Sequence, residues 1–156
     1  MILALDCATR TGWCLWDNGR VLESGTEDFS KKRGESNGSM FLRFRHWLHD
    51  TIIKNDVTFC IYEQSHHRGG AATEIGVNLT GRVQECCAEL KIEYATIHSA
   101  TLKKFATGSG KASKSQMVER AETLMQNAGR IDKVDSKMDD NEADAIMMAK
   151  YASETY

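Results

Sequence analysis

The 156-residue sequence has no proline, and no Pro-rich or Gly/Ser-rich linker divides it. No internal repeat or low-complexity tract is visible, so one domain spanning 1–156 is expected. No apolar run reaches the length a bilayer crossing needs, which argues against a transmembrane helix and a membrane partner. No basic flank accompanies MILALDC, whose apolar run is broken by Asp6, so the segment reads as a strand and not a secretion signal. The five cysteines (Cys7, Cys14, Cys60, Cys86, Cys87) form no CxxC pair and read as reduced, small buried hydrophobes. A cytoplasmic protein is expected, in a host cytoplasm if viral. Net charge is also scarce, at −2, which neither favours nor excludes nucleic acid.

The distribution of that charge is more informative. Lys103 to Lys114 holds four lysines and no acid, whereas Asp132 to Asp144 holds six acids against Lys133 and Lys137. A basic patch near an acidic cluster suits a protein that grips phosphates and concentrates metal ions, and also suits two unrelated solvated surfaces.

Residues 2–6 read as a short strand ending in an acid. GWCLWDNGRVLESG reads as a β-hairpin around Asp17-Asn18-Gly19. Residues 30–39 read as a polar loop, and Phe41, Phe44, Leu48 and Ile52 recur at helical spacing within 40–53. Residues 57–62 read as a buried strand closed by Glu63. Helical periodicity returns over 72–90, with Gly76 and Gly81 inside it; such glycines allow close packing on a sheet or a second subunit. A strand at 92–97, a short helix from Ser99, a helix capped by Ser113 and a final helix after Asp139 complete an α/β pattern with a mixed sheet.

Asp6 and Glu63 each end an apolar strand, where open α/β sheets place ligands and where a buried carboxylate needs a partner. On the final helix, Asp140 and Asp144 share a face at i, i+4, as do Asn141 and Asp144 at i, i+3, while Glu142 points elsewhere, into solvent. Asp139 or a neighbour caps that helix. Oxygen-only ligands suit Mg²⁺ or Mn²⁺ better than zinc, for which His66, His67 and the cysteines lack the spacing. Two such ions serve phosphodiester hydrolysis.

From Ile2 to Ala149 the sequence resembles the RuvC family of Holliday-junction resolvases. Asp6-Cys7-Ala8-Thr9-Arg10-Thr11-Gly12 is similar to the family's opening motif, and Ile61-Tyr62-Glu63-Gln64 to its second acidic strand. Residues 73–88 resemble its central helix near the dimer interface. Lys103 with Gly108-Ser109-Gly110-Lys111-Ala112-Ser113-Lys114 resembles its Lys, GxGxAxK signature, and Glu142-Ala143-Asp144-Ala145 its terminal acidic helix. The resemblance implies a ribonuclease-H-like fold, a mixed five-stranded sheet flanked by helices. It implies Asp6, Glu63 and Asp144 as metal ligands, with Lys103 and Lys114 near the scissile phosphate or the backbone. Lys114 is thus counted with the catalytic residues Asp6, Glu63, Asp140 and Asp144.

The family carries an acid or His three residues before the last Asp, where this chain has Asn141. Either Asn141 ligates through its carbonyl or Asp140 takes over, and Asp140, with full charge, is favoured. The family's aromatic after the second acid is replaced by His66-His67-Arg68, expected to contact DNA along with Arg10, Lys103, Lys104, Lys111 and Lys114. The implied activity is a metal-dependent, structure-selective endonuclease that nicks branched DNA, a four-way junction, in pairs. Two symmetric cuts call for a homodimer. A ribonuclease of the same superfold that trims structured RNA and a non-catalytic DNA-binding protein are the competing readings.

Overall fold

The computed structural model describes residues 1–65, 69–128 and 138–156. Strands β1 (Ile2–Asp6), β2 (Arg10–Asp17) and β3 (Arg20–Asp28) precede helix α1 (Asn37–Lys54) and strand β4 (Phe59–Glu63). Helix α2 (Ala71–Leu90), strand β5 (Glu93–Ile97) and helices α3 (Ser99–Thr107), α4 (Lys114–Asn127) and α5 (Asp140–Thr155) follow. The sheet order is β3-β2-β1-β4-β5. β2 runs antiparallel to both β1 and β3, whereas β1, β4 and β5 are parallel. This is the mixed five-stranded, ribonuclease-H-like α/β sheet expected from the sequence.

The β2–β3 hairpin turns at Asn18 and Gly19, both at positive φ (49° and 80°), as a tight primed turn requires. Helix α1 starts three residues earlier than its apolar spacing suggests, because Ser36 accepts a hydrogen bond from the Ser39 N–H and caps it. Ser113 caps α4 in a full capping box with Gln116, and Asp139 caps α5 by accepting from the Asn141 N–H at 2.8 Å.

Period-2 alternation gives each sheet face its own core. Leu3, Leu5, Cys60 and Tyr62 pack under α1 and α2 with Phe44, Leu48, Leu79 and Val83. Ala4, Cys14, Trp16 and Ile61 pack under α3, α4 and α5 with Leu102, Met117, Ile146 and Met148. All five thiols are free, and four are buried among these apolar side chains. The two helix layers differ at α5, which buries Ala143, Ala145, Ala149 and Ala152 as well as its larger residues. Small side chains let this helix lie close against the sheet.

Among the described residues no helix is long and apolar enough to cross a membrane. Gly76 is the close-packing glycine of α2, since a Cβ there would meet the Ser65 Oγ at 3.2 Å, while Gly81 faces open space.

Candidate active site

Strand alternation fixes where the first two acids point. Asp6 lies two residues beyond Ala4, and Glu63 two beyond Ile61, so both continue the face covered by α5. The parallel register sets Ala4 beside Ile61 and Leu5 beside Tyr62, which brings Asp6 and Glu63 together at one rim of the sheet. Helix α5 delivers Asp144 to the same place. Carboxylate oxygens of Asp6, Glu63 and Asp144 lie within 4.8 Å of one another, and each residue is partly buried.

The close approach of α5 depends on Gly12, which pairs with Asp6 across β1 and β2. A Cβ at Gly12 would overlap the main-chain carbonyl of Asn141 and come within 2.6 Å of the Glu142 nitrogen. The Asn141 side chain completes the contact: its Nδ2 donates to the Arg10 carbonyl oxygen at 2.8 Å. Arg10 adds a looser tie, its guanidinium standing 3.6 Å from Asp28 and 3.3 Å from Asp139. On the other side of Asp6, the buried Thr11 hydroxyl donates to the Ala8 carbonyl at 2.6 Å and closes the loop that follows β1.

Three carboxylates this close repel when ionised. Burial, then Glu63, Asp144 and Asp140, push the Asp6 carboxyl well above its ordinary range. Asp144 is pushed up to about 7 by burial, then by Glu63 and Asp140, while Lys103 acts the other way. Asp6 shares a hydrogen bond with Asp144 that favours the proton on Asp6. A divalent cation would remove the conflict that this shared proton relieves. The all-oxygen donor set suits Mg²⁺ or Mn²⁺, so the residues present fit such an ion.

The other candidate residues surround this group at differing distances. Asp140 lies outside the three-carboxylate group and 3.6 Å from the Lys114 Nζ, although its charge still acts on Asp6 and Asp144. Asn141 lies against β2 through its amide. Lys103 is partly buried on α3, close enough to lower the Asp144 pKa, whereas Lys104, Lys111 and Lys114 are exposed. Glu142 is not solvated as expected from its position on the helix: it is half-buried, and burial followed by Asp139 raises its pKa. His66, His67 and Arg68 lie outside the described residues, as do Asp132, Lys133, Asp135 and Lys137 of the charged stretch before α5.

A cavity of about 220 Å³ opens beside Asp6 and Glu63, between the sheet rim and the start of α2. Cys7, Gln64, Ser65 and Thr73 line it, and sequence reasoning assigned none of them to a site. Adjacency to a strand-end acid was the available signal for Cys7, Gln64 and Ser65. Thr73 joins them only through the packing of α2.

Among solved structures the chain is similar to Thermus thermophilus RuvC, with a TM-score of 0.73 and 14% identity over 98% of this chain and 95% of that one. It is also similar to T. thermophilus RuvC in complex with Holliday junction substrate, with a TM-score of 0.75 and 14% identity over 98% and 94% of the two chains. A third is the yeast mitochondrial Holliday junction resolvase Ydc2, with a TM-score of 0.65 and 15% identity over 96% and 75%. The fold is that of a RuvC-type resolvase. No family model and no curated protein matches the sequence. Within this RuvC-type fold, the acids at the ends of β1 and β4 and on α5 form the carboxylate group, with Lys103 of α3 near Asp144 and Lys114 of α4 near Asp140.

Proposed function

We propose that the chain is a metal-dependent, structure-selective endonuclease that resolves Holliday junctions or related branched DNA by paired nicks. The observation that carries this reading is the cluster of Asp6, Glu63 and Asp144 at the sheet rim of a RuvC-type fold. Bound there, Mg²⁺, or Mn²⁺ in its place, at two ions per site, supplies water activation and stabilisation of the leaving oxygen. Asp6, Glu63 and Asp144 hold the ions. Asp140 is preferred over Asn141 as the fourth ligand, because a carboxylate offers a full charge where the amide oxygen offers only a dipole.

Lys103 and Lys114 meet the scissile phosphate in this reading, and Lys104 and Lys111 follow the backbone beside it. Arg10 and residues 66–68 complete the DNA contacts proposed from the sequence. Backbone charge is common to all duplexes, so junction selectivity comes from two sites held at a fixed distance in a homodimer. The chain is taken to act as one domain, in the cytoplasm.

The test compares a synthetic four-way junction, a linear duplex and an RNA hairpin, each incubated with the protein in Mg²⁺. Paired nicks confined to the junction are expected. Cutting of the hairpin alone would make the chain a ribonuclease. Binding without any cutting would make it a non-catalytic DNA-binding protein.

A further inference from the structure

Residues 30–39 read as a polar loop in the sequence, yet the segment between β3 and α1, residues 29–36, is built to hold three cations at the rim of the proposed active site. β3 runs antiparallel to β2, and β2 to β1, so β3 ends at the rim where β1 presents Asp6. Asp28 pairs with Arg10, and Asp6 with Gly12. Two strand spacings separate β3 from β1, so the loop leaves the sheet roughly 10 Å from the Asp6 strand. The Phe29 N–H donates to the Thr9 carbonyl at 2.8 Å, which ties the loop directly to the segment following Asp6.

The interior of the loop is fully committed. Arg43 donates to both Glu35 carboxylate oxygens at 3.0 Å, and to the carbonyls of Phe29 and Ser30 at 3.1 and 3.2 Å. The Lys32 N–H donates to the Glu35 carboxylate at 2.6 Å, and the Glu35 N–H returns to the Lys32 carbonyl at 3.0 Å. That return bond closes a β-turn whose third residue, Gly34, takes the φ of +84° that such a turn reserves for glycine. Glu35 is therefore turned onto Arg43 and the Lys32 backbone, while Asp28, exposed at the end of β3, is engaged by Ser30 and Arg10.

Lys31, Lys32 and Arg33 are left exposed at the tip, and among the described residues none of them is in a salt bridge. Three adjacent like charges repel, and a rigid turn that keeps them together favours an anion that offsets their repulsion. Lys103, Lys111 and Lys114 lie on the face covered by α5, whereas this tip leads into α1 on the opposite face. The two basic groups thus belong to opposite faces of the sheet.

We propose that Lys31, Lys32 and Arg33 form a second phosphate-binding station, which holds the backbone of a duplex arm of branched DNA beyond the carboxylate cluster. The proposal rests on the nuclease reading above. A linear stretch lying over Asp6 and Glu63 already engages the α3–α4 lysines. An arm leaving the branch towards β3 reaches the tip.

The test uses the full chain and a labelled four-way junction, with Ca²⁺ in place of Mg²⁺ to hold the substrate uncut. The triple variant Lys31→Gln, Lys32→Gln, Arg33→Gln should keep its melting temperature, because the three side chains are exposed. Its log-affinity against log-salt slope should fall by about 2.7, at about 0.9 for each of three phosphates that are no longer neutralised. Its affinity at low salt should fall about tenfold or more, and halving the junction arms should erase the difference from the wild type. Arg43→Gln, which frees the turn but keeps its three cations, should give a smaller loss in the same direction. A triple variant with the wild-type slope, or with an equal loss on short arms, overturns the station while leaving the nuclease reading in place. A wild type that binds no branched DNA overturns both.

Discussion

Two regions supply the clustered carboxylates, and different forces hold them. Asp6 and Glu63 end strands whose preceding residues, Leu3 to Leu5 and Cys60 to Tyr62, are buried from both faces. Their positions follow from sheet register, and moving either would require slipping a paired, buried strand. Asp144 arrives on a helix whose apolar stripe is equally buried, but whose first turn is fixed by polar ties. These are the Asp139 cap, the Asn141 amide on β2 and the Arg10 ion pairs. The sheet half of the site is set by packing and the helix half by contacts at its N-terminus, so perturbations should separate the two.

The largest effect is expected where the halves cannot substitute for one another. Asp6→Asn, Glu63→Gln and Asp144→Asn should each abolish junction cleavage in Mg²⁺ while leaving DNA binding largely intact. Each change removes a ligand charge and none of the phosphate contacts. Parallel cleavage and gel-shift measurements check this, and near-normal turnover by any one of the three would remove that residue from the site.

Gly12→Ala probes the seam between the halves. The added methyl meets the Asn141 carbonyl, so either β2 or the start of α5 must move. Overpacking of this kind costs about 1–3 kcal/mol, read as a lower melting temperature. Because the shift lifts Asp144 from Asp6 and Glu63, cleavage at saturating Mg²⁺ should fall further than global stability does. A variant with full activity and a wild-type melting temperature would show that the helix is not seated on Gly12.

Proton linkage gives the next effect. The folded-state pKa of Asp144, about 7, lies above its unfolded value, and that of Asp6 is raised in the same direction. Such groups favour the fold while protonated, so their contribution is fully present near pH 4 and lost as pH rises through about 7. The metal-free protein should therefore melt roughly a few degrees higher at pH 5.5 than at pH 8. Saturating Mg²⁺ should abolish or reverse the trend, because the ion binds the ionised form. Melting curves across pH with and without Mg²⁺ test it, and a pH dependence unaltered by Mg²⁺ would count against an ion at this cluster.

Much of this arrangement was legible in the sequence, for identifiable reasons. Apolar runs ending in Asp6 and Glu63, helical spacing in α1 and α2, and the Ser113 cap are local signals, and they survive because the tertiary structure does not override them. The pairing of Asp6 with Glu63 needed the parallel register of β1 and β4, which no local pattern encodes. Helical spacing placed both Asp140 and Asn141 near the face of Asp144 but could not distinguish them. Their difference lies in partners 26 and 131 residues away along the chain, Lys114 for Asp140 and the Arg10 carbonyl for Asn141. Glu142 was misjudged for a related reason: helix α5 is covered on more of its circumference than a single amphipathic stripe implies. Residues 30–39 read as merely polar because the role of Arg43 in fixing the loop arises from the next helix.

The smallest expected effect separates the two ties between α5 and β2. Asn141 bonds the main-chain carbonyl of Arg10, whereas the Arg10 guanidinium reaches Asp28 and Asp139 from an exposed position. A neutral amide–carbonyl hydrogen bond contributes about 1 kcal/mol, so Asn141→Ala should lower the melting temperature by a few degrees. Arg10→Gln keeps the carbonyl that Asn141 needs and removes only exposed, salt-screened pairs, so its melting temperature should stay within about 2 °C of the wild type. The order should hold for metal affinity too, since the Asn141 tie lies one helical turn from Asp144 and the Arg10 pairs act on the cap before it. Titration of Mn²⁺ followed by its paramagnetic resonance signal reads this directly, without turnover. Weaker Mn²⁺ binding in Asn141→Ala than in Arg10→Gln would fit a helix seated by its amide tie. The reverse order would make the guanidinium bridge between β3 and the α5 cap the contact that positions Asp144.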